Sequence, residues 1–176
     1  MTEMISMVVI VIVLGLLVKT VNSDKPWLNK IKGDVGEKIV AQELENLNES
    51  YRVKNSVDEN ILVNHYQIDH VVVNDSKRMI YVIETKNWHG NIKGSKDDKK
   101  WSVKMGGEIY EYNNPIIQNE LHCGAVRNKF KGYGVVNLVV FANDDVRWYC
   151  KCRNVIRVGE LVEYIENDVG NRRKTG

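Results

Sequence analysis

The chain has 176 residues, with 25 Lys and Arg against 23 Asp and Glu and a formal net charge of +2. This length fits one domain with a sizeable core, and so mild a charge does not by itself indicate nucleic-acid binding, which must rest on local basic clusters. The three cysteines lack the second Cys or His pair that a structural zinc site needs, so we expect reduced thiols.

An apolar segment opens the chain. Residues 4–18 are interrupted only by Ser6 and Gly15, and with their neighbours they reach the roughly 17–20 residues that cross a bilayer. Because lysines follow this segment and none precedes it, the positive-inside rule places the remainder in the cytoplasm. We therefore predict a transmembrane anchor over residues 1–21, a location in the cell membrane with the C-terminal domain cytoplasmic, and a linker over residues 22–32.

A helix is predicted to open the globular domain. Asp34 suits the N-cap, and Glu37 stands three residues later in a capping-box arrangement, followed by apolar residues at helical spacing. We expect the domain to occupy residues 33–167, with a basic tail over residues 168–176.

The stretch QIDHVVVNDSKRMIYVIETK, residues 67–86, predicts a β-hairpin, because two apolar runs surround a polar turn. If the turn is centred between residues 76 and 77, Asp69 lies across from Glu84 with the Cβ atoms roughly 5 Å apart. Since strand side chains alternate between faces, Lys86 lies on the same face as Glu84. An acid, an acid and an amine then converge on one surface.

Two facing carboxylates repel unless a cation lies between them, and such oxygen ligands suit Mg²⁺ or Mn²⁺. We expect Asp69 and Glu84 to hold this cation, and Lys86 to orient or deprotonate the attacking water or to stabilise charge on a phosphate. Gln67 is a candidate for contacting the substrate. On the residues alone, a solvated Glu-x-Lys pair and a strand-capping Gln67 remain open alternatives.

A lysine-rich stretch follows the hairpin and contains Trp101. Lys93, Lys96 and Lys100 are candidates for phosphate contacts, and Trp101 for stacking on a base. The alternative is a solvated loop with Trp101 packed in the core, which the residues favour for the tryptophan.

The Asn114-Pro115 pair predicts a helix start, with Asn as N-cap and Pro at the first helical position. Gln118 and His122 are four residues apart on one face of that helix. The apolar run Val135–Phe141 then predicts a central strand buried on both faces. The order of helix, hairpin, helix and strand indicates a mixed α/β core.

Short motifs occur in a fixed order along residues 33–165: Gly36-Glu37, Gln67–His70, Ile83–Asn87, Gly90, Gly94, Trp101, Asn114-Pro115, Gln118 and His122. This set resembles the nuclease-related domain (NERD) family, which is similar to the PD-(D/E)xK nuclease superfamily. The resemblance implies a restriction-endonuclease-like mixed sheet flanked by helices, and Mg²⁺-dependent hydrolysis of DNA. It also implies site roles for Glu37 and Gln118, which the residues alone explain as a capping acid and a member of a buried polar network.

The leading hypothesis is therefore a membrane-anchored nuclease that uses Mg²⁺ or Mn²⁺ and acts on DNA at the cytoplasmic face. Its expected catalytic residues are Asp69, Glu84, Lys86, Glu37 and Gln118. The alternatives are a non-catalytic module of the same fold that binds nucleic acid or protein, and a membrane-tethered adaptor. Placing two carboxylates where a phosphate would lie favours catalysis, since it weakens a pure phosphate binder.

Overall fold

A computed structural model describes residues 26–59, 66–149 and 152–167 of the chain. The chain divides into two compact units, residues 1–34 and residues 35–176. The predicted anchor, residues 1–21, and the predicted tail, residues 168–176, lie outside the described residues. Across the described ranges, no helix has both the length and the apolar character that a bilayer crossing requires.

Three helices and nine strands are described, together with a 3-10 turn over Val158–Glu160. The helices are α1 (Pro26–Leu44), α2 (Pro115–Lys129) and α3 (Leu161–Glu166). The strands are β1 (Arg52–Glu59), β2 (Tyr66–Asn74), β3 (Met79–Lys86), β4 (Asn91–Lys93), β5 (Lys100–Met105), β6 (Glu108–Asn113), β7 (Gly134–Phe141), β8 (Arg147–Trp148) and β9 (Val155–Arg157).

The main sheet has the strand order β1-β2-β3-β7-β9. Its first three strands pair antiparallel, whereas β3, β7 and β9 run parallel. The predicted hairpin is confirmed with its register, because Asn74 pairs with Met79 and His70 with Ile83 around the turn at residues 75–78. The predicted mixed α/β class is therefore confirmed.

Helices cover both faces of the main sheet. On one face, Val40 and Leu44 of α1 join a buried cluster with Tyr81 and Ile83 of β3 and residues of α3. On the other face, α2 contributes Cys123 and Val126 to a cluster that includes Ile80 and Val82 of β3. Because side chains alternate along β3, its even-numbered residues face α2, and these include Glu84 and Lys86.

The lysine-rich stretch forms a second sheet, where a loop was expected. Its strand order is β6-β5-β4-β8, and Ile92, Trp101 and Val103 form its buried cluster with Val139 and Phe141 of β7. The alternation of buried and exposed residues in β5 favours a half-buried strand over a solvated loop. The many charges of this stretch obscure that alternation in the sequence.

Two further expectations are wrong. Helix α1 begins at Pro26, so Asp34 lies inside the helix and cannot act as its N-cap. Cys152 is disulfide-bonded, so the thiols are not all reduced. Cys123 is free, and its burial raises the thiol pKa to about 12, which makes it a core residue without nucleophilic character at neutral pH.

Candidate active site

The site lies where β3 ends and Asp69 of β2 meets it. The antiparallel pairing of β2 with β3 stops at His70 and Ile83, one position before Asp69 would face Glu84. Beyond this point the Asp69 Oδ2 atom accepts a hydrogen bond of 2.8 Å from the main-chain N–H of Thr85. The Asp69 carboxylate thus accepts from a main-chain N–H of β3 just beyond the last paired residues of the two strands. This hydrogen bond fixes the carboxylate at the carboxyl end of β3.

Glu84 is the buried centre of the site, with 4% of its surface exposed. Its Oε1 atom accepts hydrogen bonds from Lys86 Nζ at 2.6 Å and from Gln118 Nε2 at 2.8 Å. The Lys86 ammonium also donates to Gln118 Oε1 at 3.2 Å. The structure therefore joins three of the predicted site residues, two from β3 and one from α2, in a single hydrogen-bonded triangle.

His122 also reaches Glu84. One turn after Gln118 on α2, its Nε2 atom lies 3.9 Å from Glu84 Oε2, and burial lowers the pKa of the ring. The four-residue spacing from Gln118 is the signal in the sequence that places it here. A neutral imidazole can hold the second carboxylate oxygen without adding a permanent charge.

Asp69 carries the most perturbed acid of the site. Burial, and after it the negative charge of Glu84, raise its carboxyl pKa from the ordinary 3.8 to about 7. The hydrogen bond from Thr85 and the charge of Lys86 oppose this rise, and Glu37 adds to it. The single ammonium of Lys86, already bonded to Glu84, therefore leaves Asp69 undercompensated.

Glu37 approaches this site from α1, on the opposite face of the main sheet. It follows Gly36, which packs so closely on the end of β3 that a Cβ atom there would lie 2.8 Å from Asn87 Cβ. A larger residue would hold the helix away, so the glycine permits the close approach. The half-buried Glu37 thereby comes close enough for its negative charge to contribute, after burial and Glu84, to the raised pKa of Asp69.

Helix α2 is fixed to the sheet by a buried amide, which sequence reasoning missed. Asn119 is fully buried, and its Nδ2 group donates to the carbonyl of Val82 at 2.8 Å, to Asn137 Oδ1 at 2.9 Å and to the carbonyl of Leu138 at 3.3 Å. These partners belong to the neighbouring strands β3 and β7. The position of Gln118, the preceding residue, is set by this attachment. No local pattern distinguishes such an asparagine from a surface one.

The start of α2 also organises the basic segment between β4 and β5. Asn114 caps the helix as predicted, accepting from the Ile116 N–H at 2.9 Å. Its own amide donates to the carbonyls of Ser95 at 3.0 Å, Lys96 at 3.3 Å and Asp98 at 2.6 Å. The segment that carries Lys96 is thus tied to the helix that carries Gln118.

Of the predicted substrate-binding residues, Trp101 is buried and the others are exposed. Trp101 is fully buried and donates from its indole N–H to the carbonyl of Ser95 at 2.8 Å, so stacking on a base is excluded. Strand alternation turns Lys93 and Lys100 to the face opposite Trp101, and Lys100 forms an exposed ion pair of 3.2 Å with Glu111. Gln67 and Lys96 are exposed.

The donor set suits a hard divalent cation. In the described ranges, no group of three His, Cys, Asp or Glu side chains has the arrangement of a metal site. Asp69 and Glu84 are the two carboxylates of this site that could hold such an ion. Mg²⁺ is commonly bound through one or two carboxylates, with water and substrate oxygens completing the octahedron. The undercompensated charge on Asp69 fits such an ion.

Comparison with known proteins places these features in a family. An uncharacterised protein from Bacillus anthracis is 32% identical over 120 residues, which are 65% of this chain and 54% of that protein. The chain thus spans about half the length of this curated relative. No solved structure matches the chain. The sequence model of the nuclease-related domain matches residues 32–142, well over half of the chain and the segment that supplies Glu37, Asp69, Glu84, Lys86 and Gln118. The chain is a member of the nuclease-related domain family, NERD.

Proposed function

We propose that the protein is a metal-dependent nuclease that hydrolyses phosphodiester bonds of DNA. The observation that carries this proposal is the position of a half-buried Asp69, whose pKa is raised to about 7, beside Glu84, Lys86 and Gln118. A structural ion pair needs one acid and one base. Here two carboxylates, Asp69 and Glu84, share the one ammonium of Lys86 in a partly buried cluster, an arrangement that a divalent cation and a phosphate would complete.

Each residue has a distinct role in this proposal. Asp69 and Glu84 hold Mg²⁺ or Mn²⁺, and Glu37 adds negative charge beside them. The bound ion supplies charge neutralisation at the phosphate and activation of the attacking water. Gln118 fixes the Glu84 carboxylate through its 2.8 Å hydrogen bond. Lys86 would donate its ammonium hydrogen bonds to the attacked phosphate oxygen or to the attacking water.

The proposed setting is the cytoplasmic face of the cell membrane, with residues 1–21 as the anchor. It rests on the apolar run over residues 4–18 and on the lysines that follow it. Extraction of expressing cells with alkaline carbonate tests the anchor. Full-length chain should remain in the membrane pellet, and its release into the supernatant would contradict anchoring.

Cleavage by the full chain in mild detergent tests the catalytic proposal. Supercoiled, linear and single-stranded DNA are incubated with Mg²⁺, with Mn²⁺ and with EDTA. We expect metal-dependent cutting that Glu84→Gln and Lys86→Ala reduce by at least about 100-fold, the usual effect of removing a group that stabilises developing charge. Matched controls are Glu49→Gln and Lys131→Ala, two exposed residues to which no site role is assigned, and both variants should cut normally.

The same assay separates the rival function. If the wild type cuts no substrate under any metal condition but retards DNA in a salt-dependent manner, the protein is a binding module and the catalytic proposal is wrong. Equal loss of cutting in the control variants would show that the effect is one of folding.

A further inference from the structure

The aromatic group beside Lys86 offers a surface that the hydrolytic roles do not use. Trp88 follows Lys86 by two residues, and its ring centroid lies 6.0 Å from the Lys86 Nζ atom. Tyr112, on the edge strand β6, stacks on Trp88 with centroids 4.8 Å apart and ring planes inclined by 27°. Trp88 therefore lies beside the amine that the proposed function places at the phosphate, and Tyr112 stacks on Trp88.

Trp88 is firmly held while Tyr112 remains accessible. The half-buried Trp88 packs edge-on against Trp101, with ring centroids 6.5 Å apart, and against Phe141, with ring centroids 6.0 Å apart. Trp101 and Phe141 belong to the buried cluster of the second sheet. Tyr112 is 37% exposed, because β6 is the last strand of its sheet. Proteins that bind single strands stack nucleobases on aromatic side chains, and Tyr112 is an accessible ring of this kind, supported from below by the firmly packed Trp88.

We propose that Tyr112, supported by Trp88, forms a subsite that stacks on an unpaired nucleobase next to the phosphate at Lys86. This inference rests on the proposed function for the position of the phosphate. A strand that places a phosphate at Lys86 carries the adjoining base towards these rings. A paired base has both faces covered within the duplex, so the subsite selects single-stranded or frayed nucleic acid.

The ordinary explanation, that Tyr112 only seals the core, makes a different prediction from stacking. Tyr110 provides the matched comparison. It lies two residues away on the same face of β6, is 39% exposed, and donates its hydroxyl to Glu108 Oε2 at 2.7 Å. A sealing role predicts similar effects at both tyrosines, whereas stacking predicts an effect at Tyr112 alone.

Binding is measured with Ca²⁺ in place of Mg²⁺, so that a hard cation can neutralise the two carboxylates beside the phosphate, and again in EDTA; the comparison of probes tests the subsite independently of cutting. The probes are a labelled oligothymidylate of about 12 nucleotides, the matching oligouridylate, an abasic strand of the same length and a duplex of that length. We expect the wild type to prefer the thymidylate over the abasic strand by about tenfold, and Tyr112→Leu to lose that preference while binding the abasic strand as before. Tyr112→Phe and Tyr110→Leu should keep it. The ratio of uridylate to thymidylate affinity identifies whether RNA or DNA is the source of the base.

Equal wild-type affinity for the thymidylate and abasic strands overturns the subsite, as does an equal loss in Tyr112→Leu and Tyr110→Leu. Failure to bind single strands at all also overturns it. The wild-type comparison of the two strands needs no variant, so it remains decisive if Tyr112→Leu does not fold. If the base preference is present but no DNA is ever cut, the subsite stands and the nuclease proposal fails. Cutting without base preference gives the reverse result.

Discussion

Replacing Asp69 with asparagine should stabilise the metal-free protein at high pH. The pKa of Asp69 rises from 3.8 to about 7, so between these values the native state binds a proton that the unfolded chain has lost. The free energy of unfolding therefore falls as pH increases through this window. At 1.36 kcal/mol per pH unit, a shift of about three units amounts to at most roughly 4 kcal/mol. Asparagine has no charge to bury, and its side-chain oxygen can still accept from Thr85.

Urea unfolding followed by tryptophan fluorescence, without divalent ions, measures this effect. Near pH 3.5, below the unfolded-state pKa, the wild type and Asp69→Asn should be nearly equal in stability. By about pH 8 the variant should exceed the wild type by several kcal/mol. The exposed Asp97→Asn serves as the matched control and should remain within about 0.5 kcal/mol of the wild type throughout.

Addition of Mg²⁺ should narrow the difference in stability between Asp69→Asn and the wild type. If Asp69 is a ligand, a cation at 100 times its dissociation constant stabilises the wild type by about 2.7 kcal/mol at high pH, and the variant by much less. A variant that is less stable than the wild type by the same amount at every pH would show that the Asp69 carboxylate is compensated in the native state. That result would remove the main support for a cation site.

Three other substitutions examine how the site is assembled. Gly36→Ala should destabilise the fold by about 1–3 kcal/mol through contact with Asn87 and reduce cleavage, whereas Gly33→Ala, with open space around its Cβ position, should stabilise α1 slightly in the same urea assay. His70 has its pKa lowered to about 4 by burial, so this residue removes stability as pH falls from 6.5 towards 4, against the opposite contribution of Asp69; His70→Gln should therefore gain stability relative to the wild type on acidification, as measured by urea titrations across this range. Asn114→Asp keeps the cap acceptor but loses the donations to Ser95, Lys96 and Asp98, and should destabilise the fold by about 1–3 kcal/mol and increase hydrogen exchange in the basic segment.

The short-range features of the site were predictable from the sequence. Alternation and a central turn were enough to set Asp69 against Glu84, because the register of a hairpin follows from its loop. Helical spacing placed Gln118 and His122 on one face. Each of these inferences spans only a few residues within one element, or two strands joined by a short turn.

What the sequence did not reveal depends on contacts between distant segments. The second sheet forms because Ile92, Trp101 and Val103 pack on Val139 and Phe141 of the main sheet, and charged neighbours hide those apolar positions. Trp101 was a plausible stacking residue by type, but it is buried and cannot reach a base. We instead propose stacking at Tyr112, supported by Trp88. The approach of Glu37 depends on Gly36 meeting Asn87, two residues far apart in the chain. Helix α1 extends back to Pro26 although Asp34 is a suitable N-cap residue, because a capping residue can also lie within a longer helix.

The attachment of α2 through Asn119 has a consequence for transplanting this chemistry. The Asp69 and Glu84 pair lies on a hairpin that could be copied onto another scaffold as one contiguous segment. Such a graft would lack Gln118, whose depth is fixed by the Asn119 hydrogen bonds to Val82 and Leu138 on two different strands. The smallest portable unit is therefore the hairpin together with β7 and α2. A designer who moved the acids alone should expect Glu84 to lose the hydrogen bond from Gln118 and its fixed orientation.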